Sequence, residues 1–185
     1  MPPAAQACDD AVPTAQSQYV LPYTVSESYR VNQANCSGFG HSDFWQYGYD
    51  FVMDIGTVVT AARSGTVIHA QDGATDGDRT RTNLITIEHA DGTVALYSHL
   101  TLNGVLVTAG QDVNAGDTIG LSGDTGNTGG LPHLHFSLHP CSDLPGLPGL
   151  PGAGSCPSIF ANFRNTSSND NGLDAGRSYV ALPFD

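Results

Sequence analysis

The stretch "NLITIEHADGTVALYSHL" (residues 83–100) carries the pattern that decides the fold. Two β-branched runs flank the turn sequence "ADG", which is typical of a strand, a tight turn and a second strand. Similar short runs, separated by Gly- and Asn-containing turns, recur from Asp50 to His139. No amphipathic helical stretch of useful length interrupts them. The sequence therefore predicts an all-β, antiparallel domain, either a sandwich or a partly open barrel.

The composition supports this fold class and excludes some functions. The chain has 185 residues, which suits one domain with a sizeable core. It contains 22 glycines and 11 prolines but only 13% charged residues, a balance that favours turns and short strands. There is no lysine, and the net charge is -12, which argues against nucleic-acid binding because phosphates require a basic surface. No segment is long and apolar enough to predict membrane insertion.

The chain divides into a short arm and one domain. Residues 1–18 are small and polar, and we predict a flexible arm there. Residues 19–185 are expected to form the domain. Within it, residues 141–156 contain three Leu-Pro-Gly triplets, far too few for a collagen helix, and predict an extended loop. Residues 157–185 are expected to add two strands.

The four cysteines are Cys8, Cys36, Cys141 and Cys156, and none forms the CxxC pair that is typical of a zinc site. An even number on loop-like segments indicates two disulfides, for which three connectivities are possible. We favour Cys8–Cys36 and Cys141–Cys156, because each pair would tie an extension back on itself. Disulfides imply a secreted or periplasmic location. No secretory signal is visible, and we interpret the sequence as a mature form with an added Met1.

The strongest chemical signal is "HLHF", which contains His133 and His135. Residues i and i+2 of a strand point to the same face, so both imidazoles should project together while Leu134 and Phe136 face the other way. Two surface histidines are the simpler alternative. The pairing, together with the glycine-rich approach "GDTGNTGGLP", favours a metal or catalytic pair.

Two weaker signals lie elsewhere. In "YSHL", Tyr97 and His99 should share one face of a strand, although such a pair is usually ordinary surface or core. Asp50 opens an apolar strand, where a carboxylate needs a partner or a metal. The chain lacks an HExxH motif, so a zinc hydrolase built on it would need histidine as its base.

Several of these strings together resemble the lysostaphin/LytM-type zinc endopeptidases, which cleave peptide cross-links of bacterial cell walls. The resemblance covers about residues 19–182 and is densest from Asp50 to Phe136. The strings that carry it are "YDFVMDIGTVVTAARSGTV", "ITIEHADGTVALYSHL", "GVLVTAGQDVNAGDTIGLSGDTGNTGG" and "PHLHF". It implies a small antiparallel β-domain with a groove over one sheet and one Zn²⁺ per chain.

The resemblance also implies roles for individual residues. Asp50 and His135 match two of the family's zinc ligands, and His99 and His133 match its catalytic histidines. Tyr97 would orient His99 or donate a hydrogen bond to the substrate oxyanion, and a packing role is the alternative. Which histidine is the general base stays open. His69, His89 and His139 have no assigned role.

The first zinc ligand departs from the family pattern His-x-Gly-x-Asp. The matching residues here read "QYGYD", with Gln46 in the histidine position, and an amide oxygen is a poor zinc ligand beside imidazole. The alternative is His41, nine residues before Asp50, as in members with a longer insert. We favour His41 over Gln46 and keep Asp43 as an outside candidate.

The expected function is a zinc endopeptidase that hydrolyses glycine-rich or D-alanyl bonds of peptidoglycan as a monomer. One alternative is a catalytically inactive binding or activator module, and another is an endopeptidase acting on glycine-rich proteins. Aromatic residues between His41 and Asp50 are expected to line one rim of the groove. They are Phe44, Trp45, Tyr47 and Tyr49.

Overall fold

A computed structural model describes residues 10–38, 40–142, 144 and 156–185 of the chain. Within these ranges the helical segments are two 3₁₀ turns, Thr14–Gln16 and Asp43–Trp45. The strands are β1 (Ser28–Gln33), β2 (Gly48–Val52), β3 (Val58–Thr60), β4 (Gly65–Gln71), β5 (Asn83–Glu88), β6 (Val94–Val105), β7 (Asp112–Val113), β8 (Thr118–Ser122), β9 (His133–His139) and β10 (Ser178–Val180). No helix of the described ranges could cross a membrane.

The strands form one open, antiparallel sheet. Its main path runs β10-β1-β2-β9-β6-β5-β4-β7, and β8 joins it by pairing with β6 and carries β3 on its other edge. The predicted all-β antiparallel fold is confirmed. The stretch 83–100 forms the β5–β6 hairpin, in which Ile87 pairs with Ala95 and Glu88 with Val94.

Strand β9 is the central element for function because it lies between β2 and β6 and is buried along its whole length. Leu134, Phe136 and Leu138 point into the hydrophobic core. The intervening positions, among them His133 and His135, therefore face the opposite side of the sheet. Strand β2 alternates in the same way, since Tyr49 and Phe51 join the core while Asp50 faces the histidines.

The flexible arm predicted for residues 1–18 stays a prediction for residues 1–9, which lie outside the described ranges. Within the described part, residues 12–17 are hydrogen-bonded to the C-terminal part of the chain. The backbone N–H of Thr14 donates to the Asp170 carboxylate at 2.7 Å, and the Ser17 hydroxyl donates to the carbonyl of Asn162 at 2.5 Å. Composition does not predict these bonds, because a polar segment can be ordered when it has polar partners.

The C-terminal segment contains one strand in place of the two predicted for residues 157–185. Strand β10 pairs with β1, and Ile159 adds only an isolated bridge to Leu138. The predicted Cys141–Cys156 disulfide is confirmed, with the two Cα atoms 5.7 Å apart. Cys8, the predicted partner of Cys36, lies outside the described residues, as does most of the Leu-Pro-Gly loop.

Candidate metal centre

Three residues from different parts of the chain converge on the face of the sheet opposite the core. Asp50 on β2 is the direct cross-strand neighbour of His135 on β9, and His41 reaches the same point from the loop between β1 and β2. Asp50 Oδ1 lies 3.1 Å from His41 Nε2 and 2.8 Å from His135 Nδ1. All three side chains are buried, and one nitrogen or oxygen from each lies within 4.8 Å of the others.

The orientation of His41 is set by a backbone carbonyl. Its Nδ1 lies 3.0 Å from the carbonyl oxygen of Ala34, which can only accept a hydrogen bond, so Nδ1 carries the proton. In the neutral ring, Nε2 then presents a lone pair towards the Asp50 carboxylate. Two electron-rich atoms at this distance require a proton or a cation between them. Gln46, the rival candidate, follows the 3₁₀ turn and does not line the cavity described below.

Gly48 provides the space in which the two imidazoles meet. A Cβ atom at this position would lie 3.0 Å from Cε1 of His135 and 3.3 Å from Cε1 of His41. These separations are closer than ordinary carbon contacts. A side chain at position 48 would therefore crowd His41 and His135. This steric requirement for glycine holds whether or not Gln46 is a metal ligand.

His99 and His133 form a second pair beside this group, with ring centroids 4.7 Å apart. His99 Nδ1 donates to the carbonyl of Thr125, and His133 Nδ1 donates to the carbonyl of Leu131, both at 2.7 Å. In each neutral ring, Nε2 is left as the basic nitrogen. His133 Nε2 lies 3.6 Å from Asp50 Oδ1, so the pair borders the three-residue group directly.

Burial and hydrogen bonding shift the pKa values of this site in different directions. Burial alone would raise the pKa of Asp50, but hydrogen bonds from His135 and His41 outweigh it and hold the pKa well below its usual range. Burial, with the nearby His133 and His135, lowers the pKa of His99 to about 3. His99 is therefore neutral at physiological pH.

The donor set fits a zinc ion. Two imidazoles and one carboxylate are common ligands of catalytic zinc, which keeps a further position open. Tetrahedral zinc with bonds of about 2.0–2.1 Å separates neighbouring ligand atoms by roughly 3.3 Å, and the 3.1 Å and 2.8 Å separations at Asp50 Oδ1 are close to this.

The site opens into a cavity of about 430 Å³. Its lining consists of Gln33, Gly40, His41, Trp45, Asp50, Thr82, Leu96, Ser98, His99, Asn127, Thr128, Gly129, His133 and His135. Asp50 is the only acidic residue among them, and none is an arginine.

The predicted placement of Tyr97 beside His99 is wrong. Its ring is in the core, and its hydroxyl accepts a hydrogen bond from the backbone N–H of Ala62 at 2.8 Å. The reason is a bulge: β5 pairs Leu84 with Ser98 and Asn83 with Leu100, which leaves His99 as an extra residue with a φ of 68°. The left-handed backbone turns His99 to the cavity side and breaks the alternation.

Of the four aromatic residues expected to line the rim of the groove, Trp45 alone lines the cavity. Its ring contacts His135 edge-on at 5.7 Å and lines the cavity. Phe44 stacks on His139, Tyr47 is buried with its hydroxyl donating to Asp10, and Tyr49 belongs to the core. Strand alternation explains Tyr49, because Asp50 on the same strand already faces the site.

Sequence reasoning missed Gln33, whose amide Nε2 donates to Asp50 Oδ2 at 3.0 Å. It lies at the end of β1, 17 residues before Asp50, and no motif marks it. The sequence offered one weak indication of its role: Gln33 is a polar residue at the end of a strand that pairs with β2.

Comparison with known proteins identifies the family. Residues 45–144, more than half of the chain, match Peptidase family M23, and this range includes Asp50, His99, His133 and His135 but not His41. The chain is 40% identical over 91 residues to peptidoglycan DD-endopeptidase ShyA of Vibrio cholerae, which covers 49% of this chain and 19% of ShyA. It is 42% identical over 91 residues to lysostaphin of Staphylococcus staphylolyticus, covering 49% of this chain and 18% of lysostaphin. The chain thus spans about a fifth of these curated relatives.

The fold likeness extends further than the sequence likeness. The solved structure of pseudoalterin, an M23 metalloprotease from deep-sea, superposes with a TM-score of 0.55 and covers 91% of this chain and 98% of pseudoalterin. At 18% identity this comparison supports the fold alone. The family match over residues 45–144 carries the assignment, and the chain belongs to peptidase family M23.

Proposed function

We propose that the protein is a zinc-dependent endopeptidase that hydrolyses peptide cross-links of bacterial peptidoglycan. The observation that carries the proposal is the convergence of His41, Asp50 and His135 beside His99 and His133 in one cavity. In this proposal the first three residues hold the zinc, and the other two perform acid–base chemistry. The names of the relatives, a peptidoglycan endopeptidase and lysostaphin, support the substrate class.

When bound, zinc would supply a Lewis acid and a water molecule with a pKa lowered to about 7. His99 and His133 are each anchored through Nδ1 to a carbonyl, so each can exchange a proton only at Nε2. One of them takes the proton of the attacking water and later gives it to the leaving amine. The other, when protonated, donates a hydrogen bond to the oxyanion. Asp50 keeps its negative charge because its pKa is lowered.

The proposal places the activity in a single peptidase domain, residues 19–185, that acts as a secreted or periplasmic monomer. The Cys141–Cys156 disulfide supports an oxidising compartment. The cavity lining, in which Asp50 is the one acidic residue and no arginine occurs, suits uncharged glycine bridges or D-alanyl cross-links. Because the net charge of -12 would repel an anionic cell wall at long range, glycine-rich proteins are the second substrate to test.

A digestion assay tests the proposal. Zinc-loaded protein and chelator-treated protein would be incubated with walls cross-linked by glycine bridges, with directly cross-linked walls and with a glycine-rich protein. Mass spectrometry would then identify the bonds broken. We expect zinc-dependent release of new amino termini from at least one wall type. If only the glycine-rich protein is cleaved, the proposed substrate is wrong and the protein is an endopeptidase of glycine-rich proteins. If the protein binds walls but cleaves none of the substrates, it is an inactive binding module.

A further inference from the structure

We infer that Gln33 is a positioning residue that fixes two of the proposed zinc ligands, Asp50 and His41, relative to each other. The inference rests on the proposed metal site and deepens it. Gln33 lines the cavity, and its carboxamide contacts Asp50 directly and the backbone of Gly40, the residue before His41. It would act by holding the ligands and not by coordinating the metal.

The first contact selects the oxygen that Asp50 offers to the imidazoles. Gln33 Nε2 donates to Oδ2 at 3.0 Å, while Oδ1 faces His41, His135 and His133. A carboxylate whose second oxygen is occupied by an N–H donor is held in one rotation. Hydrogen bonds of this kind orient metal ligands and raise metal affinity.

The second contact reaches the loop that supplies His41. Gln33 Oε1 accepts the backbone N–H of Gly40 at 3.4 Å, and Ala34, the first residue after β1, accepts the Nδ1–H of His41 through its carbonyl at 3.0 Å. Gln33 at the end of β1 and Ala34 directly after it therefore hold the loop backbone and the His41 ring, respectively. The other two proposed ligands lie on strands, so His41 is the ligand that most needs such anchoring.

A bulge in β1 places Gln33 in this position. Val31 pairs with Phe51, whereas Gln33 pairs with Asp50, so two steps along β1 correspond to one along β2. In a regular ladder Asn32 would lie opposite Asp50, and its shorter amide would share that face. Bulges re-aim side chains next to functional sites, and this one directs the longer carboxamide towards Asp50.

The test compares Gln33→Met with Asn32→Ala. Methionine keeps the length of glutamine but removes both polar contacts, whereas Asn32 has no side-chain hydrogen bond in the described part of the chain and lies outside the cavity. Zinc affinity would be measured by competition with a chromophoric chelator. We expect Gln33→Met to bind zinc about 10–100-fold more weakly than wild type, the usual effect of losing an orienting partner. Asn32→Ala should match wild type within about threefold, within the range of surface substitutions.

Melting temperatures with and without zinc separate positioning from a general stabilising role. A positioning residue predicts that the rise in melting temperature on adding zinc shrinks in Gln33→Met, because that rise depends on zinc affinity. Equal losses in the metal-free and zinc-loaded protein, with unchanged affinity, would overturn the inference. If Gln33→Met does not fold, Gln33→Asn replaces it, since one methylene less prevents the side chain from making both contacts. A wild-type protein that binds no zinc would instead contradict the proposed function.

Discussion

His133 and His135 lie two residues apart on β9, yet their surroundings predict different roles in the site. His135 lies directly opposite Asp50 and contacts its Oδ1 at 2.8 Å. His133 lies opposite Val52, and its Nδ1 is committed to the carbonyl of Leu131. His135 is therefore part of the three-residue group, whereas His133 borders it and faces the cavity together with His99.

This difference predicts opposite effects on zinc in two alanine variants. His133→Ala should keep zinc but lose at least about 100-fold in kcat, the lower range for acid–base groups. His135→Ala should lose both zinc and activity. Zinc content by mass spectrometry and wall digestion would be measured together, with His69→Ala as a control on a strand outside the site. Equal zinc loss in both site variants would contradict the assignment of roles.

At the level of elements, the turn after β8 carries much of the cavity wall and orients His99. Thr125 in this turn accepts the His99 Nδ1–H, and Asn127 lines the cavity. Arg79 holds the turn from outside: its guanidinium donates to both carboxylate oxygens of Asp124 at 2.9 Å and 2.8 Å and to the carbonyl of Gly126 at 3.2 Å. The turn is thus fixed by an ion pair that does not itself reach the cavity.

Removing this ion pair should affect turnover more than stability. Arg79 is partly exposed, and exposed ion pairs contribute little to stability, so Arg79→Met should change the folding free energy only slightly. Displacement of the Thr125 carbonyl should lower kcat roughly tenfold, because small misplacements of catalytic groups are costly, with zinc content unchanged. Arg81→Met, which breaks the exposed ion pair with Asp78 in the same loop, is the matched control. Similar kcat values in the two variants would argue against a positioning role for Arg79.

The elements also explain which parts of the site could be predicted from the sequence. Regular alternation correctly placed His133 and His135 together on β9 and placed Phe136 in the core. The same rule failed for Tyr97, because a bulge at His99 inserts one left-handed residue that no local pattern announces. Gln33 was missed for a similar reason, because a bulge in β1 shifts the register and places Gln33 opposite Asp50.

At the scale of the whole molecule, buried histidines make folding sensitive to acid. His139 is buried between Cys156, whose carbonyl accepts its Nδ1–H, and the hydroxyl of Ser137. Burial lowers the pKa of His139 to about 4, whereas an unfolded histidine titrates near its ordinary value of about 6.5. Below that value the unfolded chain binds a proton that the folded chain excludes. Stability is therefore full above about pH 6.5 and is lost as the pH falls towards about 4.

Urea unfolding of the metal-free protein measures this effect. Between about pH 7.5 and about pH 5, the contribution of His139 amounts to a loss of about 2 kcal/mol in the free energy of unfolding. His41, whose pKa is raised by Asp50 against the effect of burial, acts in the opposite direction. The informative quantity is thus the difference between wild type and His139→Gln, which should depend less steeply on pH. Identical pH dependences would mean that His139 is not excluded from protonation in the folded state.

The central claim is that His41 takes the first ligand position in a three-residue zinc centre. Native mass spectrometry tests it directly on zinc-reconstituted wild type, His41→Ala and Gln46→Ala after removal of excess metal. The expected result is one zinc per chain in wild type and in Gln46→Ala, and none in His41→Ala. A wild type without zinc, or a His41→Ala variant that keeps its zinc while Gln46→Ala loses it, would contradict the claim.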